Sequence, residues 1–201
     1  MAENYIFEID NALSNEMCDN IIHLYELNYK LHRDGQIFAG VNKNVKNTRD
    51  MLIPKNNDIW KNIEKTLYVS LHEGLNKYLD SIQKDEYSIG KNTPFKMFAG
   101  FELTIDYFMI QKYEKNDGKY IYHNDSRHDI SNSKYRVITY IFYLNDVIEG
   151  GETEFWATHR ITPKKGKVVF FPSTWSYPHC GKMPISSDKY IITGWFYCPA
   201  P

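Results

Sequence analysis

Apolar and polar positions along the chain follow two different periods. In "LSNEMCDNIIHLYELNYKL", Met17, Ile21, Leu24 and Tyr25 recur at helical spacing behind Ser14, a residue type that caps helix N-termini. In "NDIWKNIEKTLYVSLHEGLNKYLDSI", Ile59, Ile63, Leu67, Leu71, Leu75 and Leu79 return every fourth residue, with Asp58 as the cap. A stripe that long predicts a helix lying against a sheet, weakened slightly at Gly74. From residue 101 the period moves towards two. "FELTIDYFMIQKY", "YRVITYIFYLND", "GKVVFFPS" and "KYIITGWFYC" are rich in β-branched and aromatic residues. "NDGK", "EGG" and "PKKG" punctuate them with turn chemistry. Helices first and strands after predict an α+β fold with a sandwich or jelly-roll sheet. Between the helices, "HRDGQIFAGVNKNVKNTRDM" is polar and reads as an exposed, mobile loop or edge strand, and "YSIGKNTPFKMF" reads as a connector.

Length changes this picture little: 201 residues fit a single domain, with 1–100 as mainly helical support plus the mobile loop and 101–201 as the sheet. Charge narrows the partners. Lys and Arg number 24 against 25 Asp and Glu, a net charge of -1, which disfavours a generic nucleic-acid binder but leaves room for a local basic patch. The 16 tyrosines suit half-buried sheet positions and pockets that need an apolar wall tipped with a hydroxyl. Cys18, Cys180 and Cys198 form no C-x-x-C pair, so a reducing compartment is expected. The acidic start "MAENYIFEIDNALSNE" does not read as a secretory signal, and no apolar run reaches membrane-spanning length. The expected location is cytoplasmic, in the organism itself or in an infected host cell.

The chemistry concentrates in "YHNDSRHDI", Tyr122 to Ile130. On a strand, residues i and i+2 share a face, so His123 and Asp125 converge while Asn124 points away. Two ligands make a poor metal site, and a centre of two histidines and one carboxylate needs a third on the same face. His179, just beyond the apolar strand "KVVFFPS", is the candidate. His23 and His72 fall in predicted helices, His32 in the polar loop and His159 at a hairpin. One H-x-D pair is weak on its own, since a surface His beside an Asp is common; its company decides.

That company resembles the iron(II)- and 2-oxoglutarate-dependent dioxygenases of the prolyl 4-hydroxylase type, in a small bacterial or viral-like form. The resemblance runs from about Leu103 to Tyr197, with a weaker echo in "ALSNEMCDNII". Its H-x-D is His123-Asn124-Asp125, with Tyr113 ten residues before and Tyr120 three before the first histidine. Its R-x-x-T-x-x-x-Y-L-N strand is Arg136, Thr139, Tyr143, Leu144 and Asn145. "GGETEF" and "PKKGKVVFFP" follow in order, then His179, and Lys189 ten residues further on. Thr193 and Trp195 close the pattern. Asn116 stands where the family often has glycine, so that turn is rebuilt.

The resemblance implies a double-stranded β-helix, a jelly-roll, cupin-like core, as the catalytic part, with the N-terminal helices packed on its sheet. It implies iron(II) held by His123, Asp125 and His179, with 2-oxoglutarate and O2 as co-substrates and ascorbate as an accessory reductant. Lys189 would bind the distal carboxylate of 2-oxoglutarate, helped by Tyr143 and Thr193, with Tyr113 near the chelating end. Trp195 and Arg127 would face substrate. Arg136 and the "GGETEF" hairpin read as structural, and His128 and Asp129 as a solvated turn. The implied substrate is a proline-containing peptide or protein, with release of succinate and CO2. Alternatives are the same chemistry on a free amino acid, another side chain or a nucleobase, or a catalytically silent jelly-roll module. Segment 32–49 could fold over a bound peptide.

Overall fold

The computed structural model describes residues 5–55, 57–83, 98 and 102–200. In chain order its elements begin with β1 (Phe7–Ile9), α1 (Asn15–Leu27), β2 (Arg33–Asp34), β3 (Gln36–Ile37), β4 (Gly40–Val41), β5 (Lys46–Asn47), β6 (Arg49–Leu52) and α2 (Asp58–Ile82). They continue with β7 (Met109–Tyr113), β8 (Lys119–His123), β9 (His128–Asp129), β10 (Lys134–Tyr143), β11 (Thr153–Phe155), β12 (His159–Ile161), β13 (Val168–Pro172), β14 (His179–Gly181) and β15 (Lys189–Pro199). The major sheet runs β1-β13-β10-β15-β7-β6-β2, with β9 added beside β10, and the minor sheet runs β12-β11-β14-β8-β5. Every ladder is antiparallel. The architecture is the expected α+β jelly roll.

Period-two alternation divides the interior. From β10 and its end, Ile138, Tyr140, Phe142 and Leu144 join Val168, Phe170, Ile192 and Phe196 under the helices. The intervening Ile141 and Tyr143 pack with Val169, Phe171, Ile191 and Phe155 between the sheets. The major sheet is therefore apolar on both faces, one against helices and one against the minor sheet. Burying each Leu, Ile or Phe in these layers contributes about 1.5–3 kcal/mol.

α1 follows the sequence expectation. Ser14 accepts a hydrogen bond from the Met17 N–H, and Cys18, Ile21 and Tyr25 are buried. α2 departs from it twice. Its cap is Asn57, whose side chain accepts from the Ile59 N–H, with Asp58 as the first helical residue. Its buried face is Trp60, Ile63, Leu67, Leu71, Gly74, Leu75, Tyr78 and Ile82, while Ile59 is exposed. A strict four-residue row drifts about 40° per step around a helix, so it rolls off a flat sheet at its end. Gly74 is a point of contact: a Cβ there would stand 2.6 Å from Cζ of Phe170.

Segment 32–49 follows the edge-strand alternative of its reading and not the loop, with β5 at the edge of the minor sheet and β2 at the edge of the major. It is woven into both sheets: β5 pairs with β8 in the minor sheet, and β6 pairs with β7 in the major. Arg33, Asp34, Gln36 and Lys46 of this segment line a cavity, so polar composition here does not by itself mark a solvent-facing loop. The connector "YSIGKNTPFKMF" lies outside the described residues apart from Phe98. Asn116 rebuilds its turn with a left-handed φ of 59°, a region asparagine tolerates. Among the described residues no helix is long and apolar enough to cross a membrane, and all three cysteines are free.

Candidate active site

His123 is the last residue of β8 and His179 the first of β14, and these two are directly paired in the ladder. Asp125 lies just past the end of β8, so the H-x-D motif ends a strand rather than opening one. The potential ligand atoms of His123, Asp125 and His179 all lie within 4.8 Å of one another. Asp125 Oδ1 is 3.8 Å from His123 Nε2, and Oδ2 is 3.7 Å from His179 Nε2. The three residues of the sequence reading therefore converge.

Backbone carbonyls set the tautomers. His123 Nδ1 is 2.8 Å from the Ile121 carbonyl and His179 Nδ1 is 3.1 Å from the Tyr177 carbonyl. A carbonyl only accepts, so each Nδ1 carries the proton and each Nε2 presents a lone pair to the centre. Burial, reinforced by the neighbouring His179, lowers the His123 pKa to about 4. Tyr120 stacks on the His123 ring at 3.5 Å, and Phe155 and Phe171 pack on His179. Burial works against charge on Asp125, but the two histidines and a hydrogen bond from Thr139 hold its pKa below the usual value. The Thr139 hydroxyl donates to Asp125 Oδ2 at 2.8 Å, so Ser173, also 2.8 Å away, must donate to Thr139. Two neutral imidazoles and one fixed carboxylate on one side suit a divalent first-row metal such as iron(II).

The triad opens into a cavity of about 730 Å³ between the sheets. Lys189, Ile191, Thr193 and Trp195 alternate along the inner face of β15 and all line it. Lys189 is 1 % exposed. Its Nζ donates to the Gly151 carbonyl at 2.9 Å and sits 4.1 Å from the centre of the Tyr113 ring. No carboxylate pairs with it among the described residues, and burial lowers its pKa to about 7. A buried ammonium without a counter-ion is costly, and an anionic ligand group would offset that cost.

The other expected residues divide. Tyr113 and Thr193 line the cavity, the latter with its hydroxyl donating to the Tyr140 carbonyl. Tyr143 is wholly buried and donates to Thr153 Oγ1 at 2.7 Å; Thr153, not Tyr143, lines the cavity. Trp195 lines the wall beside Asp125, and Arg127 stands at the rim, its guanidinium 5.7 Å from the Phe38 ring centre. His128 and Asp129 form the short β9, and Asp129 caps the following turn through Asn132.

Two residues read as structural sit in the site. The Arg136 guanidinium stacks 3.4 Å over Trp195 and lines the cavity. Gly151 of "GGETEF" supplies the carbonyl that holds Lys189. Sequence reasoning also gave no role to Thr139, Ser173 or Thr153, which lie on segments of the chain separate from those of Asp125 and Lys189. A further cluster had no sequence signal. Lys46 Nζ is 2.6 Å from Asp50 Oδ2, Thr48 donates to Asp50 Oδ1 at 2.7 Å, and Gln111 reaches Oδ2 at 3.4 Å. Lys46, Asp50 and Gln111 form part of the cavity wall.

Comparison with known proteins gives this geometry a family. The 2OG-Fe(II) oxygenase superfamily matches residues 108–197, a span that contains the whole triad and Lys189. The chain carries a 2OG-Fe(II) oxygenase domain. Oxygenases of this superfamily use iron(II) and 2-oxoglutarate, and the triad is a donor set that fits the metal. A curated relative, the "Putative prolyl 4-hydroxylase" of Acanthamoeba polyphaga mimivirus, is 26 % identical over 210 residues, covering 96 % of this chain and 74 % of the relative. Three solved structures share the fold of the oxygenase. The viral collagen prolyl hydroxylase of Paramecium Bursaria Chlorella virus-1, in its 2OG complex, superposes with a TM-score of 0.63 at 21 % identity, over 96 % of each chain. A Trichoplax adhaerens prolyl hydroxylase bound to a hypoxia inducible factor peptide has a TM-score of 0.71 at 19 % identity, over 96 % of this chain and 84 % of that one. A Pseudomonas putida prolyl-4-hydroxylase has a TM-score of 0.67 at 16 % identity, over 97 % and 94 %.

Proposed function

We propose that this oxygenase hydroxylates prolyl residues in a peptide or protein, consuming 2-oxoglutarate and O2 and releasing succinate and CO2. The observation that carries the reading is a single cavity with a chelating triad on one wall and a buried, uncompensated ammonium on another. His123, Asp125 and His179 would hold the iron(II), and Lys189 would receive the 2-oxoglutarate. Iron with its co-substrate supplies the oxidising power needed to hydroxylate an unactivated C–H bond.

The chain supplies position and dryness. The two Nδ1–H contacts fix the imidazoles, and the Ser173–Thr139 relay fixes the carboxylate. Lys189 neutralises the distal carboxylate of 2-oxoglutarate, with Tyr113, Thr153 and Thr193 beside it and Tyr143 acting through Thr153. Ile141 and Ile191 keep water from this part of the cavity. Trp195, Arg136 and Arg127 face the peptide. The prolyl choice is supported by the prolyl hydroxylases among the relatives, one of them bound to a peptide.

The test is succinate release over a panel of proline-containing peptides, free amino acids and oligonucleotides, with mass spectrometry of the products. A proline peptide should gain one oxygen atom in step with succinate, and His123→Ala should lose both signals. Turnover above the uncoupled background only with free amino acids or oligonucleotides would overturn the prolyl assignment. No succinate with any of them would favour the silent module.

A further inference from the structure

The cavity wall is lopsided in charge. Its cations are Arg33, Lys46, Lys55, Arg127, Arg136 and Lys189, and its anions are Asp34, Asp50 and Asp125. Each anion is already engaged: Asp50 by Lys46, Asp34 by Arg49 at 2.7 Å and Lys43 at 3.3 Å, and Asp125 within the triad. Lys189 is committed to the buried end. Arg33, Lys55 and Arg127 remain, all exposed, and none has an ion-pair partner among the described residues. Arg136 adds a fourth positive group deeper in. This excess stands on a chain whose net charge is -1, so it is a local arrangement and not a property of the whole surface.

The three rim cations come from separate places: Arg33 from β2, Lys55 from the turn after β6, and Arg127 from the loop after Asp125. They share one opening, and apolar groups lie among them. Leu31 and Leu52 line the cavity with about half their surface exposed, and Phe38, 93 % exposed, flanks Arg127. We propose that this rim selects the substrate by charge: the peptide carries Asp or Glu residues flanking the residue that enters the cavity. The inference rests on the peptide reading above and names the class of peptide. A peptide with apolar and acidic side chains meets both kinds of rim residue, and approach would be steered by the positive field.

The test uses three fluorescent peptides of one length around a central proline, with flanks of Asp/Glu, Asn/Gln or Lys. Binding is measured by anisotropy to the iron(II)- and 2-oxoglutarate-loaded protein without oxygen, and hydroxylation is measured in parallel in air. The acidic peptide should bind roughly tenfold tighter than the lysine peptide, about twofold for each of three exposed pairs. The gap should shrink as salt rises. Arg33→Glu, Lys55→Glu and Arg127→Glu should each narrow it, and the triple variant should reverse it; a gain for the lysine peptide would itself show an intact fold. Equal binding of all three peptides would overturn the inference, as would a preference that survives the triple variant. Stronger displacement by a single-stranded oligonucleotide of equal charge than by unlabelled acidic peptide would also overturn it. A charge preference in binding with no proline hydroxylated would leave the rim assignment standing and sink the prolyl reading instead.

Discussion

If Lys189 receives the distal carboxylate of 2-oxoglutarate, co-substrate binding must take up a proton. The ammonium is 1 % exposed, bonds a carbonyl and faces an aromatic ring, and no carboxylate forms an ion pair with it among the described residues. Burial lowers its pKa from 10.5 to about 7. In the ligand-free protein about one-tenth of the lysine is then charged at pH 8, half at pH 7 and nine-tenths at pH 6. A bound carboxylate favours the charged form and returns the pKa towards the ordinary lysine range. Uptake is therefore about 0.9 proton per 2-oxoglutarate at pH 8, 0.5 at pH 7 and 0.1 at pH 6. The sign has a second consequence. Between about 7 and 10.5 the unfolded chain binds more protons at this lysine than the folded one, so the ligand-free protein gains stability there as pH rises. Anaerobic titration calorimetry of 2-oxoglutarate, in buffers of different ionisation enthalpy, reads the uptake directly. Lys189→Arg keeps a cation that does not titrate and should bind with no pH-dependent uptake; Lys189→Met should lose most affinity. Uptake that is flat from pH 6 to 8, or unchanged in Lys189→Arg, would refute the assignment.

Three other outcomes follow from the packing. Thr139→Val removes the donor to Asp125 at constant shape and should weaken iron(II) binding about 10- to 100-fold in a metal titration, with Thr139→Ser restoring most of it. Gly74→Ala gains up to about 1 kcal/mol of helix propensity but drives a methyl into Phe170, at a cost of about 1–3 kcal/mol. Urea unfolding should therefore show a net loss, relieved when Phe170→Leu is added. Lys46→Met leaves Asp50 buried and uncompensated and should destabilise by about 3–5 kcal/mol, while Lys46→Met with Asp50→Asn recovers much of that in thermal melts.

What could be read from the sequence follows from how far each interaction reaches along the chain. β10, β13 and β15 declare themselves because each alternates between two apolar layers, and a period of two survives without knowledge of the partner strand. The triad was legible through spacing within strands and the order of motifs, though not its register: the pairing of His123 with His179 is a contact between distant segments. Tyr143 shows the limit. Its place on the strand is right, but which hydroxyl meets the cavity depends on Thr153, ten residues away in another sheet. The Lys46–Asp50 pair had no signal, because a polar segment facing a cavity has the same composition as one facing solvent.

The hydrogen bond from Thr139 to Asp125 gives the metal centre a mechanical meaning. Both histidines belong to the minor sheet, whereas the carboxylate is hooked to β10 of the major sheet, and through Ser173 to the end of β13. An ion held by all three ligands is thus a cross-link between the two halves of the sandwich. The chain has no disulfide to do this, since its three cysteines are free. Loading the metal would tighten the jelly roll as well as arm it, and a chelator would withdraw a fastening together with a reagent.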